Sequence, residues 1–308
     1  YFQSQMSRLA KLLSPNQVTE AISRAKEKFP NLDLRYALSS SSTTMRADAL
    51  YEITSRNKAT FEEMRQISNL QTNLNPRIQA MAVLALEQLA PTNINRKLGV
   101  VMDERYRTHR FKEQPNPNIK DLNLLSKRYY ETFLLSYLGA SISLSRLQDE
   151  ILESTNSSNS IASERLAKVL VMLPANEKHI ATANEIIDRS IQAGQNSRYL
   201  YWSHMTKALI QFRAKEFQAA EKWADSVLNA PDDVRKHWGN VAPCWFLKAA
   251  SLQRSNKPEE ARKAFANGKL TLEAAWEMGR GAIYDYAHDY LLCKQLEREI
   301  GALIPPNP

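Results

Sequence analysis

The sequence predicts an all-α fold in which helical hairpins stack into a right-handed superhelix. Three observations favour this class. Apolar residues recur at steps of three and four along most of the chain, which is the period of a helix with one buried face. Glycine is scarce, at 8 of 308 residues, whereas folds of strands and tight turns need positions of positive φ. The segments around Ala220 and Ala261 share one pattern, 41 residues apart, which is typical of a helical repeat.

The N-terminal third begins and ends its helices with recognisable signals. Thr60 and Glu63 have the spacing of a capping box, and Asn75 precedes a helix that starts with Pro76. The apolar stripe of that helix is formed by Ile78, Ala82, Leu86 and Leu89. The serine-rich segment 39–44 predicts a bend. The pairs containing "RADALYEI" and "RIQAMAVLALEQL" look like HEAT-type hairpins.

Proline and asparagine divide the chain into two regions. The first four residues, Tyr1–Ser4, are typical of the remainder of a cleavable tag. The segment "KEQPNPN", residues 112–118, interrupts the helical pattern and predicts a boundary. We therefore expect an N-terminal helical region over 5–115 and a repeat domain over 116–308.

The repeat domain contains two hairpins that are related in sequence. The first is "KALIQFRAKEFQAAEKWADSVLNAP", from Lys207 to Pro231, and the second begins at "CWFLKAASLQRSNKPEEARKAF". Neither hairpin can bury its apolar face alone, so we expect each to pack against its neighbour. A tetratricopeptide repeat has a period of about 34 residues, and "DDVRKHWGNV" can hold the excess.

The order of four segments resembles a known family. "ASERLAKVLVMLP", "KALIQFRAKEFQAAEKWADSVL", "FLKAASLQRSNKPEEARKAF" and "DYLLCKQLEREIGALI" follow one another as in the C-terminal tetratricopeptide-type region of large bacterial serine/threonine kinases, notably those of planctomycetes. The resemblance covers roughly residues 144–304 and implies a helical scaffold without catalysis. The kinase motifs themselves do not occur in the sequence.

Charge gives an alternative function. The chain carries a net charge of +8, and the stretch 96–128 contains nine Lys or Arg against four Asp or Glu. Such a stretch can bind phosphate backbones and release counterions, although basic helix faces are more often only solvated. Nucleic-acid binding through residues 96–128 is therefore the second hypothesis.

Catalytic motifs are missing from the sequence. It contains no H-E-x-x-H, C-x-x-C, G-x-S-x-G, P-loop or dinucleotide glycine motif. The five histidines do not have metal-ligand spacing, and Cys244 and Cys293 lie in apolar helical patterns that predict buried thiols. Asp285, His288 and Asp289 would share one helix face as a possible acid–base group. We expect instead that His288 is a partly exposed packing residue.

The preferred hypothesis is a non-enzymatic scaffold for protein–protein interaction. The first helices of stacked hairpins line a concave groove, which can take a peptide or a partner helix. Repeat position places six residues there: Thr206, Ile210, Arg213, Phe246, Gln253 and Arg254. The two arginines suit an acidic partner segment, and Trp238 in the loop between hairpins either covers the junction or faces a ligand. We expect no cofactor, no metal and no membrane insertion, and a cytoplasmic location; the oligomeric state stays open.

Overall fold

The computed structural model describes residues 34–71, 73, 75–89, 122–138, 140–153, 160–173, 175–194 and 199–304. All secondary structure in these residues is α-helical, so the predicted all-α class is confirmed. We number the helices α1 to α15 along the chain. None of them is long and apolar enough to cross a membrane within the part of the chain described.

Four helices form the N-terminal part: α1 (Leu34–Ser39), α2 (Thr43–Ser55), α3 (Phe61–Leu70) and α4 (Pro76–Leu89). The serine-rich segment separates α1 from α2, and Ser42 caps α2. The predicted capping box is present, because the Thr60 side chain accepts from Glu63 N while the Glu63 carboxylate accepts from Thr60 N. The stripe of α4 faces the core, with Ile78 and Ala82 fully buried.

Eleven helices follow in the rest of the described chain. Two precede the hairpins: α5 (Leu122–Tyr137) and α6 (Ser141–Glu153). Three hairpins come next: α7 (Ser160–Leu170) with α8 (Glu177–Ala193), α9 (Leu200–Arg213) with α10 (Phe217–Leu228), and α12 (Trp238–Arg254) with α13 (Pro258–Glu277). The short helix α11 (Asp232–Arg235) connects the second hairpin to the third. The chain ends in α14 (Arg280–Asp285) and α15 (Ala287–Gly301).

The hairpins pack in sequential order. The second helix of each hairpin contacts the first helix of the next unit, in the pairs α8 with α9, α10 with α12, and α13 with α15. The first helices also contact one another, in the pairs α7 with α9 and α9 with α12, and α12 contacts α15. Small side chains allow these helices to pack closely, since Ala208, Ala220, Ala249 and Ala261 are all completely buried.

The corners of the last two hairpins are built alike. Lys215 and Asn256 both have positive φ, at 64° and 59°, and they lie 41 residues apart in the sequence. In each corner the following backbone N–H reaches back five residues: Glu216 N donates to Gln211 O at 2.9 Å, and Lys257 N donates to Leu252 O at 3.0 Å. This pattern closes a helix around one left-handed residue, so the two corners have the same geometry.

The two corners differ in how well their residue tolerates positive φ. Asparagine adopts the left-handed region more readily than lysine, whose Cβ crowds the backbone there. We expect Lys215→Asn to raise the free energy of unfolding by about 0.5 kcal/mol, as measured by urea denaturation. The reverse change, Asn256→Lys, is the matched control and should lower it by a similar amount. Two changes of the same sign would show that backbone strain is not the cause.

A polar contact recurs between successive units. Lys207 on α9 donates to Asp188 on α8 at 2.6 Å, and Lys248 on α12 donates to Asp225 on α10 at 2.6 Å. The two lysines are 41 residues apart. The repeat seen in the sequence is therefore also present in the hairpin corners, in the contacts between helices and in the two Lys–Asp ion pairs.

The C-terminal helices return to the N-terminal part. α15 contacts α4 and α5, while α14 contacts α2 and α4. The Tyr51 hydroxyl donates to Trp276 O at 2.8 Å, and the two rings stack at 5.4 Å. The predicted boundary at 112–118 lies outside the described residues, but the regions on either side of it share these contacts.

Candidate functional site

Five helices form a closed ring. α5 contacts α7, α7 contacts α9, α9 contacts α12, α12 contacts α15, and α15 contacts α5 again. Three members are the first helices of the hairpins, α7, α9 and α12, and α15 and α5 complete the ring. Polar side chains from these helices meet inside it, and we call them the ring cluster: Tyr129, Glu164, Lys168, Thr206, His288 and Asp289.

Lys168 is the charge at the centre of the ring cluster. Its side chain is 0% exposed. Nζ lies 2.7 Å from Glu164 Oε1 and donates to the Tyr129 hydroxyl at 3.0 Å. It also lies over two aromatic rings, 5.6 Å from the Tyr129 centroid and 5.2 Å from that of Trp202. A buried ammonium requires such partners, because losing its hydration otherwise costs several kcal/mol.

Glu164 joins two helices of the ring. Its carboxylate is one turn before Lys168 on α7, at i,i+4 spacing, and it also accepts from the Thr206 hydroxyl on α9 at 2.6 Å. Burial and the nearby Glu164 and Asp289 carboxylates raise the pKa of Tyr129 well above its usual value. Tyr129 therefore keeps its proton at neutral pH.

Asp289 is buried with few partners. Its side chain is 1% exposed, and Oδ1 is 4.0 Å from Lys168 Nζ. Burial raises the pKa of Asp289, but contact with His288 and the charges of Lys168 and Arg165 lower it more, so the net shift is downward. His288 Nε2 is 3.2 Å from Oδ2, yet neither carboxylate oxygen has an aligned hydrogen-bond donor. Such a group is rare in a protein interior and points to function or to a further partner.

Gly239 allows the side chains of Asp289 and Trp202 to lie close to the backbone of α12. A Cβ at this position of α12 would lie 3.1 Å from Trp202 Cη2 and 3.3 Å from Asp289 Oδ2. These separations are tighter than ordinary van der Waals contact. The absence of a side chain at residue 239 therefore helps to shape the ring interior.

The three residues of the possible acid–base group do not come together. Asp285, His288 and Asp289 were expected on one helix face, but the helix is interrupted at Tyr286, between α14 and α15. Asp285 is exposed and pairs with Arg77 at 3.2 Å, whereas Asp289 points into the ring. His288 is buried rather than partly exposed, because its ring packs edge-on against Tyr129, Tyr130 and Phe133.

Four of the six side chains predicted to line an open groove lie in the core. Thr206, Ile210 and Phe246 are 0% exposed and Arg213 is 9% exposed. Thr206 on α9 faces Glu164 on α7. Phe246 on α12 faces α13, where the centroids of its ring and the Phe265 ring are 5.5 Å apart. Because α7, α9, α12 and α15 close into a ring with α5, the expectation of open groove positions is wrong for these side chains.

Arg213 binds a carboxylate, but the carboxylate belongs to the same chain. Its guanidinium pairs with both oxygens of Glu299 on α15, and Nη2 to Oε2 is 2.9 Å. It also donates to Val171 O at 3.0 Å and to Met172 O at 3.1 Å. These carbonyls follow the end of α7, where helix carbonyls need donors from outside the helix.

The two remaining predicted residues, Gln253 and Arg254, are at least partly exposed. Arg254 is exposed, and its guanidinium lies 5.8 Å from the centroid of the Phe217 ring. Gln253 is half-buried, and its Oε1 has no hydrogen-bond partner. Of the predicted six, these two are the ones that a partner could reach.

Three other expectations have different outcomes. Trp238 is buried and packs edge-on against Tyr286 and Tyr290, so it covers the hairpin junction.

Cys244 and Cys293 are buried free thiols, as predicted, and burial raises the pKa of both. The basic stretch 96–128 falls largely outside the described residues. Nucleic-acid binding stays a prediction.

An accessible apolar groove lies elsewhere, between α3 and α4. Its volume is about 400 Å³, and it is lined by Phe61, Met64, Arg65, Ser68, Asn69 and Leu86. Phe61, at the first turn of α3, is 87% exposed. Sequence reasoning did not single out this groove, because the pattern of α3 alone cannot show which apolar side chain is left uncovered.

The ring cluster was also missed, although the sequence carries one signal of it. Lys168 lies in the apolar run "LAKVLVML", where a lysine needs a buried partner, and Glu164 is at the spacing that supplies one.

Among the described residues no group of three or more His, Cys, Asp or Glu side chains could hold a metal ion. Comparison of the chain with protein-family models, curated proteins and solved structures finds no match.

Proposed function

We propose that this chain is a non-enzymatic scaffold that binds a peptide or a partner helix. Its hairpins would form a tetratricopeptide-like right-handed superhelix, as the sequential packing of α7 to α13 suggests. The resemblance to the C-terminal region of planctomycete-type bacterial kinases is consistent with such a scaffold and stays a hypothesis.

The observation that carries the proposal is the groove between α3 and α4. An aromatic side chain that is 87% exposed beside an apolar groove is a typical anchor for a protein partner. The predicted concave side is a poorer candidate, because the chain's own side chains occupy it at Thr206 and Arg213. A partner would therefore place apolar side chains against Phe61 and the partly exposed Met64.

Affinity capture from the source cells tests this function. The full chain is immobilised, the lysate is treated with nuclease, and captured proteins are quantified for the wild type and for Phe61→Ser. We expect Phe61→Ser to reduce capture of the specific partner at least about tenfold, because losing a central aromatic anchor costs more than about 1.4 kcal/mol.

Leu270→Ser is the matched control. Leu270 on α13 is 61% exposed and lies outside the groove, so its replacement should leave capture unchanged. Arg254→Glu tests the remaining predicted site in the same assay. Equal capture by Phe61→Ser and Leu270→Ser would rule out the groove. If proteins captured from untreated lysate are all lost after nuclease treatment, the nucleic-acid hypothesis is favoured.

A further inference from the structure

One exposed face of α13 is apolar along much of its length. Leu270 is 61% exposed, and Met278, the C-cap residue of this helix, is 66% exposed. Ala266 and Ala274, one turn before and one turn after Leu270, are exposed as well. Steps of four residues keep side chains on the same side of a helix. We call Ala266, Leu270, Ala274 and Met278 the α13 stripe.

The α13 stripe lies at a position that an inner hairpin covers with the next unit. Asp225 on α10 precedes Ala266 by one period of 41 residues, and it binds Lys248 of the following unit at 2.6 Å. α13 belongs to the last hairpin, where Ala266 stays exposed. The terminal unit of a helical repeat normally presents a polar outer face to water. An apolar stripe at this place therefore indicates a surface that a partner covers.

The charges on this face are arranged symmetrically about Leu270. Lys263 lies seven residues before it and Glu277 seven residues after it. Seven residues are close to two helical turns, so the three side chains lie along one line of the helix. Lys263 and Glu277 are both exposed, and neither forms an ion pair within the residues that the structure describes. One end of the face is therefore positive and the other is negative.

We propose that the α13 stripe is the interface of a homodimer, in which a second copy of this chain packs its own α13 antiparallel against it. A two-fold axis at Leu270 brings together residues that lie equally far before and after it. Leu270 then meets its counterpart, and Ala266 meets Ala274. Lys263 meets Glu277 in two symmetric pairs. A parallel arrangement would place like charges opposite each other, so the charges select the antiparallel one.

A second copy fits this face because the face is complementary to itself. The net charge of +8 opposes association of two copies in general, but Lys263 and Glu277 balance each other at this surface. The small side chains of Ala266 and Ala274 let the two helices approach closely on either side of Leu270. The interface lies on α13 and leaves the groove between α3 and α4 accessible, so the dimer does not depend on the function proposed above.

Sedimentation equilibrium of the purified full chain, from about 1 to about 200 μM, covers the range expected for a small interface and tests the proposal. We expect a reversible equilibrium between monomer and dimer. Leu270→Ser should weaken the dimer at least about a hundredfold, because the two-fold axis removes two apolar side chains at once. A wild-type chain that is monomeric over the whole range overturns the proposal. A Leu270→Ser dimer of unchanged affinity overturns it as well.

Phe61→Ser is the matched control, because Phe61 is also a large exposed apolar residue but lies in the groove between α3 and α4. It should leave the dimer unchanged and reduce capture of the groove's partner, whereas Leu270→Ser should do the reverse. A dimer that is lost in Phe61→Ser would place the contact between copies in the groove and contradict the α13 interface. The two proposals can therefore fail separately.

Charge reversal tests the antiparallel arrangement. Lys263→Glu places two carboxylates opposite each other in both pairs, and we expect it to weaken the dimer about threefold to tenfold at low salt. Glu277→Lys should do the same, and an equimolar mixture of the two variants should recover the wild-type affinity, because the mixed dimer restores both pairs. Lys222→Glu is the control, since Lys222 is exposed on α10 one period before Lys263 and its reversal changes the net charge equally. Single variants that dimerise as tightly as the wild type would contradict the antiparallel arrangement.

Discussion

Replacement of Lys168 by methionine is expected to lower the free energy of unfolding by about 3–5 kcal/mol, the usual cost of removing one partner from a buried ionic group. The lysine is completely buried, and its ammonium lies 2.7 Å from Glu164 Oε1 and 4.0 Å from Asp289 Oδ1. Without it the two carboxylates remain in the interior with no ammonium between them. Methionine fills a similar length, so the loss reports the charge and not a cavity.

Urea denaturation followed by far-UV circular dichroism measures this loss, with Lys207→Met as the matched control. Lys207 is also a lysine on a first helix, with its side chain 8% exposed, but its partner Asp188 is 46% exposed. Water can solvate Asp188 when the lysine is removed, so we expect a loss of about 1 kcal/mol. A Lys168→Met loss no larger than that of Lys207→Met would contradict the buried ionic cluster.

A second substitution distinguishes the charge from the shape of the site. In Lys168→Met with Asp289→Asn, one of the uncompensated carboxylates becomes a neutral amide. We expect this double variant to recover at least about 1 kcal/mol relative to Lys168→Met alone, because a neutral polar group costs less to bury than an ion. No recovery would indicate that packing, and not charge, sets the cost at Lys168.

Local signals predicted much of the fold, because they depend on residues that are neighbours in the sequence. The Thr60 capping box and the stripe of Ile78 and Ala82 both arise from interactions within a few residues. The repeat was also visible, since Ala220 and Ala261 must each pack against an adjacent helix. Each of these features is found in the structure.

The position of the functional groups could not be predicted in the same way. Whether Arg213 faces a groove or the core depends on Glu299, which lies 86 residues later. Likewise Thr206 meets Glu164, 42 residues earlier. Helix periodicity indicates which side of α9 is apolar, but not which distant helix covers its polar residues. The closure of the ring by α5 and α15 is therefore the feature that sequence reasoning lacked.

Arg213→Ala is expected to lower the free energy of unfolding by about 3 kcal/mol. The Arg213 side chain is 3% exposed, and its removal takes donors from the carbonyls of Val171 and Met172 and from Glu299 together. Gln295 still donates to Met172 O at 2.8 Å, so the Val171 carbonyl and the Glu299 carboxylate lose most. Urea denaturation at neutral pH measures the change.

Arg254→Ala is the control that the repeat itself provides, because residue 254 follows Arg213 by one period of 41. Arg254 is exposed and makes one ring contact, so we expect a change within about 0.5 kcal/mol. Equivalent residues of two repeats would then differ several-fold in their contribution, because only Arg213 is covered by α15 and by the residues that follow α7. Similar losses at both positions would mean that Arg213 does not join α7, α9 and α15.

Arg213→Lys refines the same test. Lysine keeps the positive charge but cannot bind two carbonyls and a carboxylate through a planar fork. If the geometry of the guanidinium matters, Arg213→Lys should lose about half as much stability as Arg213→Ala. A lysine variant as stable as the wild type would reduce the role of Arg213 to its charge. The ring would then be held at this end by Gln295, which accepts from Ser136 at 2.5 Å and donates to Met172 O.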